Sequence, residues 1–349
     1  MERSLVSIIS EVARQSSFSG AVRVTDGAEV VASAAFGRAD RTHGVDNTTD
    51  TRFAIASGTK LLTALGIGAL IDDSRLTLDT RMHDAVSFEL PGVADEVTIG
   101  QLLTHTSGVY DYYDEELIDD FDSFELSIPP NKLLRPLDYL PMVTGGEMKF
   151  PPGARFSYSN GGYVLLGMLI QELCGDYHRF VESRIMRHAG MDSSGFFRFD
   201  QLPEGTANGY VETDQEWRTN IYALPIIGGP DGGAFVTTSD MEQLWRALFS
   251  AQILSPALTR KFTRKVASSS DSVFYGHGMW IRDDGHQPPV ISVVGSDAGV
   301  SFSSRCHGND IIATVVSNSS NGAWPMVSAV DDFVRQEYPH EARTFAFEL

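Results

Sequence analysis

Strand-like alternation at both ends of the chain, enclosing a long helical middle, constrains the fold more than any other feature. The stretch GAVRVTDGAEVVASAAFGRA alternates around Asp26-Gly27, a dipeptide suited to the tight turn of a hairpin. Strand patterns return only near the other end, in YGHGMWIR, PPVISVVGSDAG and VSFSSRCHGNDIIATVVSNSS. Leu5, Ile8, Ile9 and Val12 recur at helical spacing before the first strand, and a closing helix is expected over about 325–338. Between these ends, VTIGQLLTHTSG, YVLLGMLIQELCG and TSDMEQLWRALFS read as short helices separated by long loops rich in Pro, Gly and Asp. The pattern predicts an α+β architecture: one antiparallel sheet built from both chain ends, flanked by helices, plus an all-helical lobe. Residues 1–75 together with 227–349 are expected to form the sheet domain, and 76–226 the mostly helical insertion.

Composition narrows the partners. The chain has 349 residues, 42% of them apolar, enough for a sizeable core, and carries 27 basic against 46 acidic residues, a net charge of −19. With no Lys/Arg cluster, that balance argues against nucleic acid and anionic membrane surfaces. No run approaches the roughly 18 apolar residues of a membrane span. The first segment is interrupted by Glu2, Arg3, Glu11 and Arg14 and so lacks the apolar core of a secretory signal. Cys174 and Cys306 cannot make a disulfide framework, and a cytoplasmic location is expected. No His/Cys grouping has zinc spacing and no His-Glu-x-x-His occurs, so neither a metal nor another cofactor is expected. The acidic run at 114–125 reads as a solvated edge, and GGPDGG lacks the Lys-Ser/Thr that a phosphate cradle requires.

Chemistry is concentrated in two short stretches. In FAIASGTK, Ser57 and Lys60 lie one helical turn apart, so hydroxyl and amine can meet. The flanking apolar residues predict a partly buried Lys60, whose pKa falls toward that of a usable base. About 100 residues later, FSYSNGGY supplies Tyr158 and Asn160, a phenol able to share a proton with a lysine and an amide able to bind a substrate amide.

The combination resembles the serine β-lactamases and penicillin-binding proteins. Their class A signature is Ser-x-x-Lys, Ser-Asp-Asn and Lys-Thr-Gly, and the Tyr-x-Asn here resembles the class C relatives, with the family-S12 D,D-peptidases, D-aminopeptidases and esterases. The stretches FAIASGTKLLTALGIGALIDDSRLTLD, VTIGQLLTHTSG, GARFSYSNGGYVLLGMLIQELCG and GGPDGGAFVTTSDMEQLW carry the likeness. It implies a β-lactamase/transpeptidase-like fold with the site in the cleft between sheet and lobe. It also implies Ser57 as acylated nucleophile and oxyanion donor through its own N–H, Lys60 as proton acceptor or relay, Tyr158 as general base and later acid, and Asn160 as holder of the substrate amide. A small molecule or short peptide would be the substrate, and an oligomer is compatible with the likeness.

The third motif departs from the family. Counting back from Phe302-Ser303-Ser304 puts Gly295-Ser296-Asp297 where Lys-Thr-Gly or His-x-Gly is usual, with Ala298 N–H as the second oxyanion donor. The cation is absent and Asp297 stands nearby. A carboxylate there would repel a substrate carboxylate and suit an ammonium. His277 and His286 are the candidates to replace the missing cation, His105 is expected to be structural, and Tyr112 and Tyr113 are expected to border the cleft. The expected activity is therefore an acyl-enzyme serine hydrolase acting on an ester or amide, aminopeptidase-like in one version. The alternatives are a penicillin-binding protein, D,D-peptidase or weak β-lactamase, and a non-turnover binding or structural protein on the same fold.

Overall fold

The computed structural model describes residues 4–118, 120–213, 216–285, 289–308 and 310–338. Helix α1 (Leu5–Gln15) begins at Ser4, whose side chain caps it, and leads into strands β1 (Gly20–Asp26) and β2 (Glu29–Phe36). Helices α2 (Thr59–Asp72), α3 (Ile99–Leu103), α4 (Asn160–Cys174) and α5 (Thr238–Phe249) follow. The chain then returns through β3 (Ala267–Ser268), β4 (Val273–Tyr275), β5 (Trp280–Arg282), β6 (Val290–Asp297), β7 (Val300–His307) and β8 (Ile311–Ser317), and ends in α6 (Ala323–Glu337).

All eight strands join one antiparallel sheet in the order β2-β1-β8-β7-β6-β5-β4-β3. The two chain ends meet at the β1–β8 pair, in register from Gly20 opposite Ser317 to Asp26 opposite Ile311. On one face, α1 and α6 bury Leu5, Ile9, Met326 and Val330 against Val22, Val24 and Val315. On the other, Trp245 of α5 donates its indole N–H to Ser304 Oγ of β7 at 2.8 Å. Helix α2 is buried on every side from Thr59 to Leu70, as expected of a helix at the centre of a molecule rather than on its surface. It packs against α4, where Gly66 leaves room for Ile170.

Two expectations needed correction. YGHGMWIR is not one strand: Tyr275 ends β4, 276–279 form the turn, and Trp280–Arg282 form β5. Gly278 adopts φ +91° and lies so close to α2 that a Cβ there would sit 2.5 Å from that of Ala64. The supposedly helical middle also contains a two-stranded ribbon, Tyr210–Glu212 with Trp217–Thr219, tied to the sheet domain by Tyr210 N–H donating to Asn318 O at 2.9 Å.

One detail of register shapes the cleft. Strand β5 pairs with β6 only as far as Trp280 opposite Ser292. From Val293 to Asp297 that edge of β6 is left free of β5, and the turn preceding α2 packs against it.

Candidate active site

Ser57 sits in a 3-10 turn, Ala56–Gly58, just ahead of α2 rather than within it. The preceding Ala56 is held at φ +45°, a left-handed conformation that costs a non-glycine residue about 1–2 kcal/mol. Its carbonyl accepts the Thr59 hydroxyl at 2.8 Å, and Ile55 N–H is bonded to Ala234 O at 3.0 Å, which hold the turn in place. One turn later, Lys60 is only 1% exposed. Its Nζ donates to Ser57 Oγ (2.9 Å), Asn160 Oδ1 (2.7 Å) and the Asp231 carbonyl (2.7 Å). Burial lowers the pKa of Lys60, while Asp231, Glu115, Asp111 and Asp297 pull it partly back.

Tyr158 lies just ahead of α4 and lines the cleft with Ser57, close enough for the serine hydroxyl to favour its phenolate slightly against burial. Ser159 caps α4 by accepting Gly162 N–H at 3.0 Å, which places Tyr158 and Asn160 on either side of the helix start. The Tyr158 ring stacks on Trp280 (5.9 Å, 11° between planes) and against His105 (4.3 Å), with Lys60 Nζ 4.9 Å from its centre. Burial pushes its phenol well above the usual tyrosine range. His105 is fully buried and accepts Ser159 N–H on Nδ1 at 3.1 Å, so it supports the Tyr158 segment from behind. Burial keeps it neutral, in line with a structural histidine.

Asn160 is engaged at both amide atoms: Oδ1 accepts from Lys60 and Nδ2 donates to Tyr113 O at 2.8 Å. The expected substrate-amide holder is thus occupied in holding the lysine. Three acidic residues that motif reasoning missed surround the same point. Asp111 is buried at the start of α4 and accepts N–H bonds from Asn160 (2.8 Å), Gly161 (2.9 Å) and Tyr113 (3.2 Å), with burial raising its pKa to about 6. Glu115 opens onto the cleft from the acidic run expected to be a solvated edge. Burial raises its pKa, and Lys60 and Asn160 partly offset this. Asp231, in GGPDGG, supplies the carbonyl for Lys60, and its carboxylate accepts the Tyr112 hydroxyl at 2.6 Å. The available signal for Asp231 was its place in a glycine-rich turn; Asp111 and Glu115 carried none.

Tyr113 donates to Asp297 Oδ1 at 3.2 Å, so Asp297 does face the site. Burial and the neighbouring Asp231 raise its pKa to about 7 against the pull of Lys60. Tyr112, Tyr113, Asp231 and Asp297 line a narrow pocket beside Ser57 that Phe124 and Leu224 make apolar.

The count along the third motif is corrected by the structure. Gly295, not a residue nearer the turn, lies level with the nucleophile: a Cβ on it would fall 3.0 Å from Ser57 N and 2.1 Å from Ile55 O. Val293 and Val294 therefore occupy the two places before the glycine. Ala298 lies beyond, in the two-residue turn with Gly299, its carbonyl accepting from Asn220 Nδ2 at 2.9 Å. Asp297 opposite Val300 closes that turn, so the N–H groups of Asp297 and Gly295 point to β7 and that of Ser296 points to the free edge beside Ser57. His277 does not replace the missing cation. His277 is buried, stacked on Phe262 at 4.7 Å, with burial and nearby Arg264 and Lys261 taking its pKa down to about 4. His286 lies outside the described residues.

On its other side, Ser57 opens onto a cleft of about 490 Å³ that runs along β6. Comparison with known proteins agrees with this geometry. Residues 6–331 match the Beta-lactamase family model. Penicillin-binding protein 4* of Bacillus subtilis is 30% identical over 301 residues, which cover 81% of this chain and 64% of that one. The chain spans about 64% of the length of the first curated relatives it matches. A penicillin-binding protein from Bacillus halodurans superposes with a TM-score of 0.88 at 39% identity, covering 93% of this chain and 99% of the other. The D-amino acid amidase of Ochrobactrum anthropi shares the fold, with a TM-score of 0.78 at 21% identity over 95% and 98% of the two chains.

Proposed function

The chain belongs to the β-lactamase family, and from that premise we propose that it is a serine hydrolase forming an acyl-enzyme on an ester or amide whose acyl part carries a free amine. The observation that carries this reading is the Ser57 Oγ–Lys60 Nζ contact at 2.9 Å, placed where the two pockets meet. Ser57 attacks the carbonyl as its proton passes to neutral Lys60. The oxyanion receives the N–H groups of Ser57 and Ser296, each donor worth about 3–4 kcal/mol to the transition state. As the scissile bond breaks, Tyr158 protonates the leaving atom and regains a proton from Lys60, and water then releases the acid by the reverse sequence. Burial lowers the amine and raises the phenol. Those directions support giving the base role to Lys60 and the acid role to Tyr158, where the expectation made Tyr158 the base first and the acid later.

The ammonium preference rests on charge. Asp111, Glu115, Asp231 and Asp297 gather around one amine, Lys60. Two valines stand where relatives carry the cation that binds a substrate carboxylate. A donor with a free amine is also the kind of substrate named for the Ochrobactrum amidase. The reading makes the chain a peptidase or amidase of the S12-like group. Cys174 and Cys306, both free, support a reducing, cytoplasmic setting, and no helix among the described residues is long and apolar enough to cross a membrane.

The test is the ratio of hydrolysis rates for the p-nitrophenyl ester of D-alanine with a free amine and the same ester N-acetylated. A large preference for the free amine is expected, and equal rates overturn the ammonium reading. A penicillin-binding role is the second reading, favoured by the 39% identity to the Bacillus halodurans protein. A long-lived benzylpenicillin adduct on Ser57 without ester turnover would select it.

A further inference from the structure

The cleft beside Ser57 has a far end that the chemistry above leaves unused. It follows β6 past Ser296, Val294 and Ser292 to a group of arginines. Cross-strand pairs share a face of the sheet: Ser292 lies opposite Trp280 and Arg305, and Val290 opposite Arg282 and His307. Arg282 and Arg305 therefore rise from the strands on either side of β6, onto the face that carries the groove.

These cations differ in how free they are. Arg305 is ion-paired with Asp331 of α6, Arg335 approaches the same carboxylate at 3.9 Å, and His307 lies 3.7 Å from it. Arg335 also reaches Asp332 at 3.8 Å. Arg282 is exposed, and among the described residues no carboxylate lies within 4.0 Å of its guanidinium, although Asp284 lines the same end of the groove. The cleft thus runs from the carboxylates around Ser57 to an end where arginines and aspartates alternate, and where Arg282, although its charge is felt by Asp331, is the arginine not held in an ion pair among the described residues. In a chain of net charge −19, an exposed arginine in a groove with no carboxylate within 4.0 Å among the described residues is not explained by general solubility.

Gly295 and Val290 lie five residue steps apart on the strand, about 16 Å at roughly 3.3 Å per residue. Allowing for the reach of an arginine side chain, that spans about three to four extended peptide residues. We propose that Arg282 forms a subsite for the terminal carboxylate of a peptide leaving group, making the substrate a short zwitterionic peptide. Its ammonium lies beside the scissile carbonyl, and its carboxylate lies about three to four residues beyond. This substrate class rests on the serine-hydrolase reading: the amide bond breaks, its nitrogen leaves as an amine with the Tyr158 proton, and water yields the free amino acid.

Binding to the Ser57→Ala chain tests the subsite without turnover. Fluorescence anisotropy would compare a labelled pentapeptide bearing a free C-terminal carboxylate with the same peptide amidated, at low salt. We expect the free acid to bind about tenfold more tightly, a ratio in keeping with one charge-assisted contact. The ratio should fall to about one in Ser57→Ala/Arg282→Ala and recover in part with Arg282→Lys. Equal binding with Arg282 in place, or a ratio that survives its removal in folded protein, overturns the subsite. Ester turnover by the unaltered chain reports separately on the hydrolase reading. Turnover without carboxylate preference overturns the subsite alone, whereas preference without turnover overturns the hydrolase reading and supports the subsite.

Discussion

Lys60 Nζ meets three oxygens drawn from the nucleophile turn, the start of α4 and the glycine-rich turn; in its reactive, neutral form it donates two protons to Asn160 and the Asp231 carbonyl and turns its lone pair to the Ser57 hydroxyl. Replacing it with Ala leaves Asn160 Oδ1 and the Asp231 carbonyl unpaired in a buried site, so Lys60→Ala should lose turnover and about 1–3 kcal/mol of stability, read by urea unfolding. Ser57→Ala should also abolish ester turnover yet melt within about 2 °C of the parent, because its side chain is small and partly exposed. Undiminished activity in that variant would refute the nucleophile. Asp297 supplies a pH test. Its folded pKa is raised to about 7 from 3.8, so between those values the native state binds more protons than the unfolded one. The stabilisation this gives is present below pH 3.8 and lost as the pH rises through 7. Asp297→Asn should therefore raise the melting temperature more at pH 8 than at pH 5. Over the same range, the parent's preference for the free amine should grow as Asp297 ionises. Of these residues, Ser57 and Lys60 were legible because their spacing is local. Asp111, Glu115 and Asp231 were not, because only tertiary contact directs them at the lysine.

At the scale of elements, β6 and the nucleophile turn fit closely. Gly295→Ala would drive a methyl group into Ile55 O and Ser57 N, and kcat should fall about 100- to 1,000-fold, the range for losing one oxyanion donor. Gly27→Ala is the control. Its φ of +55° strains an alanine, but nothing lies within 4 Å, so it should cost stability in a thermal melt and leave kcat intact. The Asp26-Gly27 hairpin and the helices α4 and α5 could be read from turn chemistry and periodicity. The β4–β5 turn and the register of β6 could not, because both depend on how closely a glycine approaches another element. A count along the chain carries no information about a shortened hairpin turn, so it put the oxyanion donor at Ala298 rather than Ser296.

For the whole molecule, a net charge of −19 surrounds an acidic nucleophile pocket. Amine-bearing esters should be drawn in electrostatically, and their kcat/KM should drop several-fold between about 10 mM and 500 mM salt, with the N-acetylated esters unaffected. A stopped-flow salt series checks this, and equal salt dependence would count against an ammonium-selective site. Strand alternation at both ends and a helical middle determined the α+β fold, and the Ser57, Lys60 and Tyr158 motifs identified the family, because both signals reside in short stretches of chain. What the tertiary structure alone decided is the charge around the nucleophile, the residue level with it on β6, and the arginine at the far end of the cleft. These depend on burial and on the register of strands distant in sequence, which no local pattern encodes.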